Sequence, residues 1–129
     1  MCSKSLKFDD ESDFYDLNNI PSNYYGVDIG PGTIKEFSEI ISRSETILWN
    51  GPMGIFEVDG FQNGTKQLAM NISSETQNDV ITIVGGGDSS SAIKNFSLVN
   101  EFSHISTGGG ASLELLSGNN LPAIYALEV

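Results

Sequence analysis

The stretch 80–92, VITIVGGGDSSSA, sets three glycines between a β-branched apolar run and a helix-forming run. Without Cβ atoms at Gly85, Gly86 and Gly87, the backbone can approach a ligand closely and adopt dihedrals that other residues resist. The helix start that follows offers unpaired N–H groups and a positive dipole end, a favourable seat for phosphate. Asp88 is placed either to cap that helix or to hold a Mg²⁺ that neutralises phosphate charge. The pattern is neither a Walker A loop, which ends Gly-Lys-Ser/Thr, nor the dinucleotide fingerprint GxGxxG. A second junction of the same design lies at 106–112, STGGGAS, with Gly108, Gly109 and Gly110. Two such triplets at strand ends of one parallel sheet should open into the same crevice, where ligands of open α/β folds bind.

A third segment, Trp49-Asn50-Gly51-Pro52-Met53-Gly54-Ile55-Phe56-Glu57, leaves an apolar run with two polar groups. Glu57 could accept hydrogen bonds from sugar hydroxyls. Spacing alone favours the plainer reading, a loop with an Asx-turn at Asn50 and a solvated acid. His104, on an expected strand, reads as a hydrogen-bonded core residue rather than a base. Trp49 and the phenylalanines read as core.

These loops need elements to hold them. Short strands are expected over 24–28, 46–49, 80–84 and 103–106, and helices over about 33–43, 65–76, 88–96 and 111–117. Ile34, Phe37, Ile40 and Ile41 repeat at helical spacing, with Thr33 as the expected N-cap and Glu36 as its capping-box partner. Strands that alternate with helices and are apolar on both sides predict a parallel sheet with helices on both faces, a Rossmann-like three-layer α/β fold. Residues 1–19 are acidic, carry no helical or strand period and read as an N-terminal tail or a divergent segment.

Composition narrows the partners. The 129 residues hold 6 basic and 17 acidic side chains, a net charge of −11. Nucleic acid and anionic membranes are poor partners for such a surface. Lys4, Lys7, Lys35, Arg43, Lys66 and Lys94 all lie outside the glycine motifs. No apolar run approaches the roughly 20 residues that span a bilayer. The N-terminus shows no secretory h-region, and the single Cys2 has no internal partner. The cytosol is the expected compartment, which leaves the sequons at Asn63, Asn71 and Asn95 without consequence.

Taken together, GVDIGPGTI (26–34), ILWNGPMGIFE (47–57), TIVGGGDSSSAI (82–93) and SHISTGGGASLELLSGNNLP (103–122) resemble the C-terminal, nucleotide-binding portion of phosphoglycerate kinases. The resemblance runs over about 20–129. It implies reversible phosphoryl transfer between 1,3-bisphosphoglycerate and ADP, giving 3-phosphoglycerate and Mg-ATP in glycolysis. By position it implies that Asn50, Pro52 and Glu57 line the adenosine, with Glu57 on the ribose. Gly85, Gly86 and Gly87 would form the phosphate-side loop and Asp88 would hold Mg²⁺. Ser89 would stand where the family usually has Thr, and Gly108, Gly109 and Gly110 would face the migrating phosphoryl group. The family's N-terminal lobe, with its basic phosphoglycerate patch, has no counterpart here. Cations that stabilise a transferred phosphoryl are worth about 10³–10⁵ in rate. This chain alone is therefore expected to be close to inactive. The alternative is a non-catalytic nucleotide-binding or complementation piece that works only with a separate N-terminal lobe. Missing strands would leave a free sheet edge open to self-association or partner binding.

Overall fold

Trp49 and Val84 stand side by side in the register of two parallel strands, and the main core grows outward from that pair. The computed structural model describes residues 1–7 and 12–127. In chain order the elements are β1 (Cys2–Ser3), β2 (Ser12–Asp13), β3 (Tyr25–Gly26), α1 (Pro31–Ile41), β4 (Thr46–Asn50) and α2 (Asn63–Thr76). They continue with β5 (Ile81–Gly85), α3 (Gly87–Asn95), β6 (His104–Ser106), α4 (Gly109–Leu116) and α5 (Pro122–Tyr125). The strands form a parallel sheet of order β4-β5-β6 and a small antiparallel sheet of order β2-β1-β3.

The parallel register pairs Ile47 with Thr82, Trp49 with Val84 and Val84 with Ile105, so these side chains share one face. Ile41 of α1, Leu68, Ala69 and Ile72 of α2, and Ile93 of α3 cluster against that face. Buried Thr82 is not left unpaired: its hydroxyl meets that of Thr76 at 2.7 Å and accepts from the Ser103 N–H at 3.1 Å. Asn50 lies on the opposite face, where α4 begins, and this gives the three-layer α/β arrangement. Leu48 and Ile81 share that opposite face and stay 41% and 54% exposed, so the third layer is incomplete.

Local chemistry explains the element limits. Helix α1 starts at Pro31, two residues before the expected Thr33, because proline's fixed φ suits the first helical position. Gly30 is its N-cap, no side chain caps it, and the Thr33–Glu36 capping box does not form. Helices α2, α3 and α4 each end with a left-handed residue, at Asp79 (φ 66°), Ser97 (φ 60°) and Gly118 (φ 81°). The next N–H in each case reaches back five residues: Val80 to Glu75, Leu98 to Ile93 and Asn119 to Glu114, all at 3.0–3.1 Å. These are Schellman closures.

The first residues take part in the small sheet. Cys2–Ser3 pairs antiparallel with both Ser12–Asp13 and Tyr25–Gly26, and Cys2 and Ser3 are buried. The segment expected as a strand over 24–28 therefore joins this small sheet, not the parallel one. Backbone pairing supplies the order that side-chain periodicity does not reveal. The Met1 amino group donates to the Asp28 carbonyl at 2.8 Å, and the Met1 carbonyl accepts from the Val27 N–H at 3.1 Å.

Asp28 fixes the entrance to α2. It is 8% exposed, and its two carboxylate oxygens accept from Ile29 N–H at 2.8 Å and Gly64 N–H at 2.7 Å. A Cβ at Gly54 would collide with this carboxylate and lie 2.7 Å from the Phe61 carbonyl; one at Gly64 would collide with it too. Burial raises the Asp28 pKa, and the Gly64 and Ile29 N–H groups and the Met1 amine offset only part of that. The stability tied to its proton is therefore complete below the ordinary value of 3.8 and is lost as pH rises through the raised folded value. Asp28→Asn cannot accept from both N–H groups, so urea melts at pH 7 should show a loss of about 1–3 kcal/mol. The pH-dependent step should vanish with it; unchanged stability and an unchanged pH profile would contradict the role given to this carboxylate.

Candidate functional site

β5 runs into Gly85, and Gly86 then takes φ 100° and ψ 150°, a left-handed extended conformation available in practice to glycine. Gly86 is the N-cap of α3, Gly87 its first residue and Asp88 its second. The Ser90 N–H closes the first turn on the Gly86 carbonyl at 3.0 Å. Helix geometry leaves the N–H groups of Gly87, Asp88 and Ser89 without an intrahelical acceptor. The same construction recurs at α4: Gly108 is the N-cap, and Ser112 N–H bonds to the Gly108 carbonyl at 3.0 Å. Gly109, Gly110 and Ala111 are left with the free N–H groups.

The two turns touch. Gly86 N–H donates to the Ser106 carbonyl at 2.9 Å, tying one turn to the strand that feeds the other. A Cβ added to Gly109 would lie 2.6 Å from the Gly86 Cα, 2.7 Å from the Gly86 nitrogen and 2.8 Å from the Asn50 Oδ1. Asn50 Oδ1 is also 3.0 Å and 3.2 Å from the Cβ positions of residues 86 and 85. Asn50, Gly85 and Ser106 stand abreast at the carboxyl ends of β4, β5 and β6. Both triplets and Asn50 are thus brought together.

The remaining residues expected at the site are distributed differently. Asp88 is exposed in the first turn of α3 and makes no cap hydrogen bond, so it is not an N-cap. No group of three or more His, Cys, Asp or Glu gathers to hold a metal among the described residues. A Mg²⁺ at Asp88 would therefore take one protein carboxylate and complete its shell from phosphate and water, an arrangement this ion commonly accepts. Ser89 is fully buried, and its hydroxyl accepts the Gly51 N–H at 2.7 Å. Pro52 is half-buried in the loop after β4. Glu57 is exposed on the turn in which Val58 N–H bonds to the Ile55 carbonyl at 3.0 Å, with no hydrogen bond to either triplet. His104 is exposed at the start of β6, not in the core, because its register places it on the sheet face that the first three helices leave open.

The loop 50–54 is fastened at three points. Trp49 Nε1–H donates to the Gly51 carbonyl at 2.7 Å, Ser89 holds the Gly51 N–H, and the Thr65 hydroxyl accepts from the N–H groups of Met53 and Gly54 at 3.0 and 3.2 Å. Thr65 and Ser89 were not legible as fasteners in the sequence. The signal available was a hydroxyl at the third position of a helix facing a glycine-rich loop. A cavity of about 340 Å³ beside Phe14, Tyr15 and Gly30–Thr33 lies at the start of α1, away from both triplets, and among the described residues no lysine or arginine lines it.

A parallel sheet whose strand ends meet in glycine turns and paired helix N-termini defines an α/β protein of the kind that receives ligands at the carboxyl ends of its strands. The chain belongs to the phosphoglycerate kinase family: the family model described as Phosphoglycerate kinase matches residues 1–119. The phosphoglycerate kinase of Thermosipho africanus is 46% identical over 128 residues, covering 98% of this chain and 32% of that protein. That of Corynebacterium jeikeium is 49% identical over 125 residues, covering 95% and 31%. The structure of phosphoglycerate kinase from Coxiella burnetii superposes with a TM-score of 0.87 at 37% identity, over 96% of this chain and 31% of that one. The chain spans about a third of the length of the curated relatives it matches. The family match includes residues 1–19.

Substitution separates contact from spacing at the second triplet. Gly109→Ala forces the two turns apart and should cost about 1–3 kcal/mol in chemical denaturation. Gly110→Ala meets open space and should be neutral or stabilising by up to about 1 kcal/mol. Equal effects at the two positions would contradict the contact.

Proposed function

We propose that this chain is the nucleotide-holding portion of a cytosolic phosphoglycerate kinase, serving reversible phosphoryl transfer between 1,3-bisphosphoglycerate and ADP in glycolysis. The observation that carries the reading is the contact of Gly86 with Gly109, which sets two helix N-termini side by side. Phosphates of ADP or ATP would receive hydrogen bonds from the free N–H groups that follow Gly86 and Gly108, with both dipoles favouring negative charge. Asp88 would hold Mg²⁺, whose charge offsets that of the phosphates. Asn50, Pro52 and Glu57 would line the nucleoside, with Glu57 reaching the ribose. Gly108, Gly109 and Gly110 would face the transferred group. Ser89 would contribute through its bond to Gly51, which keeps the nucleoside-side loop in register with α3.

A second reading, nucleotide binding without turnover unless a separate lobe is supplied, is favoured by charge. The net charge is −11, and no lysine or arginine occurs in either triplet. Phosphoryl transfer depends on neutralising charge that spreads over the moving group. The 3-phosphoglycerate or 1,3-bisphosphoglycerate would then be held only in the presence of that lobe.

Calorimetry with Mg-ADP should give weak binding to the wild-type chain and at least tenfold weaker binding to Asp88→Ala. Identical heats from both proteins would remove the metal role of Asp88. A coupled ATP-forming assay of the chain alone should stay at background, and robust turnover would overturn the charge argument.

A further inference from the structure

The chain holds two Asn-Gly pairs, Asn50-Gly51 and Asn63-Gly64. Glycine after asparagine is the pairing most open to deamidation, because no side chain hinders its backbone nitrogen from reaching the carboxamide. That nitrogen loses its proton and bonds to the asparagine Cγ, and the Cγ–Nδ2 bond breaks to release ammonia. Water then opens the resulting succinimide, leaving aspartate or isoaspartate, the latter with the main chain routed through the former side chain. Both asparagines are exposed, so water reaches them freely. Neither glycine can be exchanged without strain. Gly51 takes φ 99°, and a Cβ at Gly64 would collide with the Asp28 carboxylate and the Ile29 side chain.

Secondary structure supplies neither glycine N–H with an acceptor: Gly51 lies just beyond β4, and Gly64 is the second residue of α2. Each is held instead by a side-chain oxygen from a distant part of the chain. Gly51 N–H donates to Ser89 Oγ and Gly64 N–H to Asp28 Oδ2, both at 2.7 Å, across 38 and 36 positions. We infer that Asn50 and Asn63 are latent deamidation sites, and that Ser89 and Asp28 guard them by holding the proton each glycine nitrogen must lose. A hydrogen bond to the protonated form makes deprotonation harder, and it fixes the N–H toward another element. The Gly64 bond is buried and ends on a carboxylate, so an amide anion there would face a like charge. The Gly51 bond is only part-buried and ends on a neutral hydroxyl, which makes Asn50 the less protected site. Its conversion also has the larger consequence. Asn50 Oδ1 is 3.0 Å and 2.8 Å from the Cβ positions of residues 86 and 109, so a carboxylate there would stand between the two glycine turns. This chemistry is independent of the proposed function: it concerns the chain's own covalent durability, whatever the turns bind.

The test incubates the full chain at mildly alkaline pH, folded and in urea, and follows deamidation by mass spectrometry. Cleavage after glutamate places Asn50 in the peptide 46–57 and Asn63 in 58–75. In urea the two sites should convert at similar rates. In the folded chain both should slow at least tenfold, Asn63 the more. Ser89→Ala should speed Asn50 about tenfold, the scale of one lost hydrogen bond, and leave Asn63 at the wild-type rate. Asp28→Ala should speed Asn63 and leave Asn50 unchanged. Global loosening would speed both sites together, so this reciprocal selectivity separates a guard from a residue that only stabilises the fold. Should Asp28→Ala fail to fold, Ser89→Ala and the wild-type order of the two sites still decide. Folded rates equal to those in urea, Asn50 slower than Asn63, or a folded variant that changes both sites alike or neither would each overturn the inference.

Discussion

The site depends on a close backbone contact. Gly86 and Gly109 approach so nearly that a single methyl on Gly109 would overlap its neighbour's backbone and the Asn50 amide. Backbone cannot yield as a flexible side chain can, so the spacing between the two helix N-termini depends on the absence of a Cβ at Gly109. Each N-terminus alone is a generic anion seat. Side by side, they bring two such ends to one place, each with N–H groups that lack an intrahelical acceptor.

The surrounding structure keeps that spacing from relaxing. Ser106 holds the Gly86 N–H, and Ser89 holds the Gly51 N–H. Thr65 and Asp28 lock the loop and the start of α2 from behind. Every one of these contacts engages a backbone N–H, so the loops are fixed through their main chain and the glycines need no side chains of their own. Beneath them Trp49 and Val84 anchor the strand ends in the core. The Schellman closures at Asp79 and Ser97 end α2 and α3 ahead of β5 and β6, and the one at Gly118 ends α4 ahead of α5.

Much of this was legible in the sequence, for physical reasons that differ by element. The β-branched run at 80–84 and the glycines after it mark β5 and its turn almost to the residue, because strand propensity and a glycine break coincide there. Helix starts were less legible. Pro31 and Gly109 open α1 and α4 two residues ahead of the expected positions, since a residue that needs no donor partner or no side chain can begin a helix unaided. Two helix ends use Asp79 and Ser97 where glycine would have been the signal. Cys2–Ser3 is ordered by pairing with residues more than twenty positions away, which no local period records. His104 sits exposed because sheet burial here is one-sided along most of its length, a property of neighbours and not of the strand's own sequence. That the Ser89 hydroxyl accepts the Gly51 N–H, from 38 positions away, is a packing outcome that no local pattern records.

Charge and topology point the same way. Two dipole ends attract phosphate, while a net charge of −11 and triplets without lysine or arginine supply little further neutralisation. Leu48 and Ile81 leave one face of the sheet partly uncovered among the described residues. The central claim is that both turns serve one ligand. Titration of the ¹⁵N-labelled chain with Mg-ADP, followed by amide chemical shifts, reads this directly. The amides of Gly87, Asp88, Gly109 and Gly110 should move together along one binding curve; shifts confined to a single triplet, or two curves of different midpoint, would contradict it.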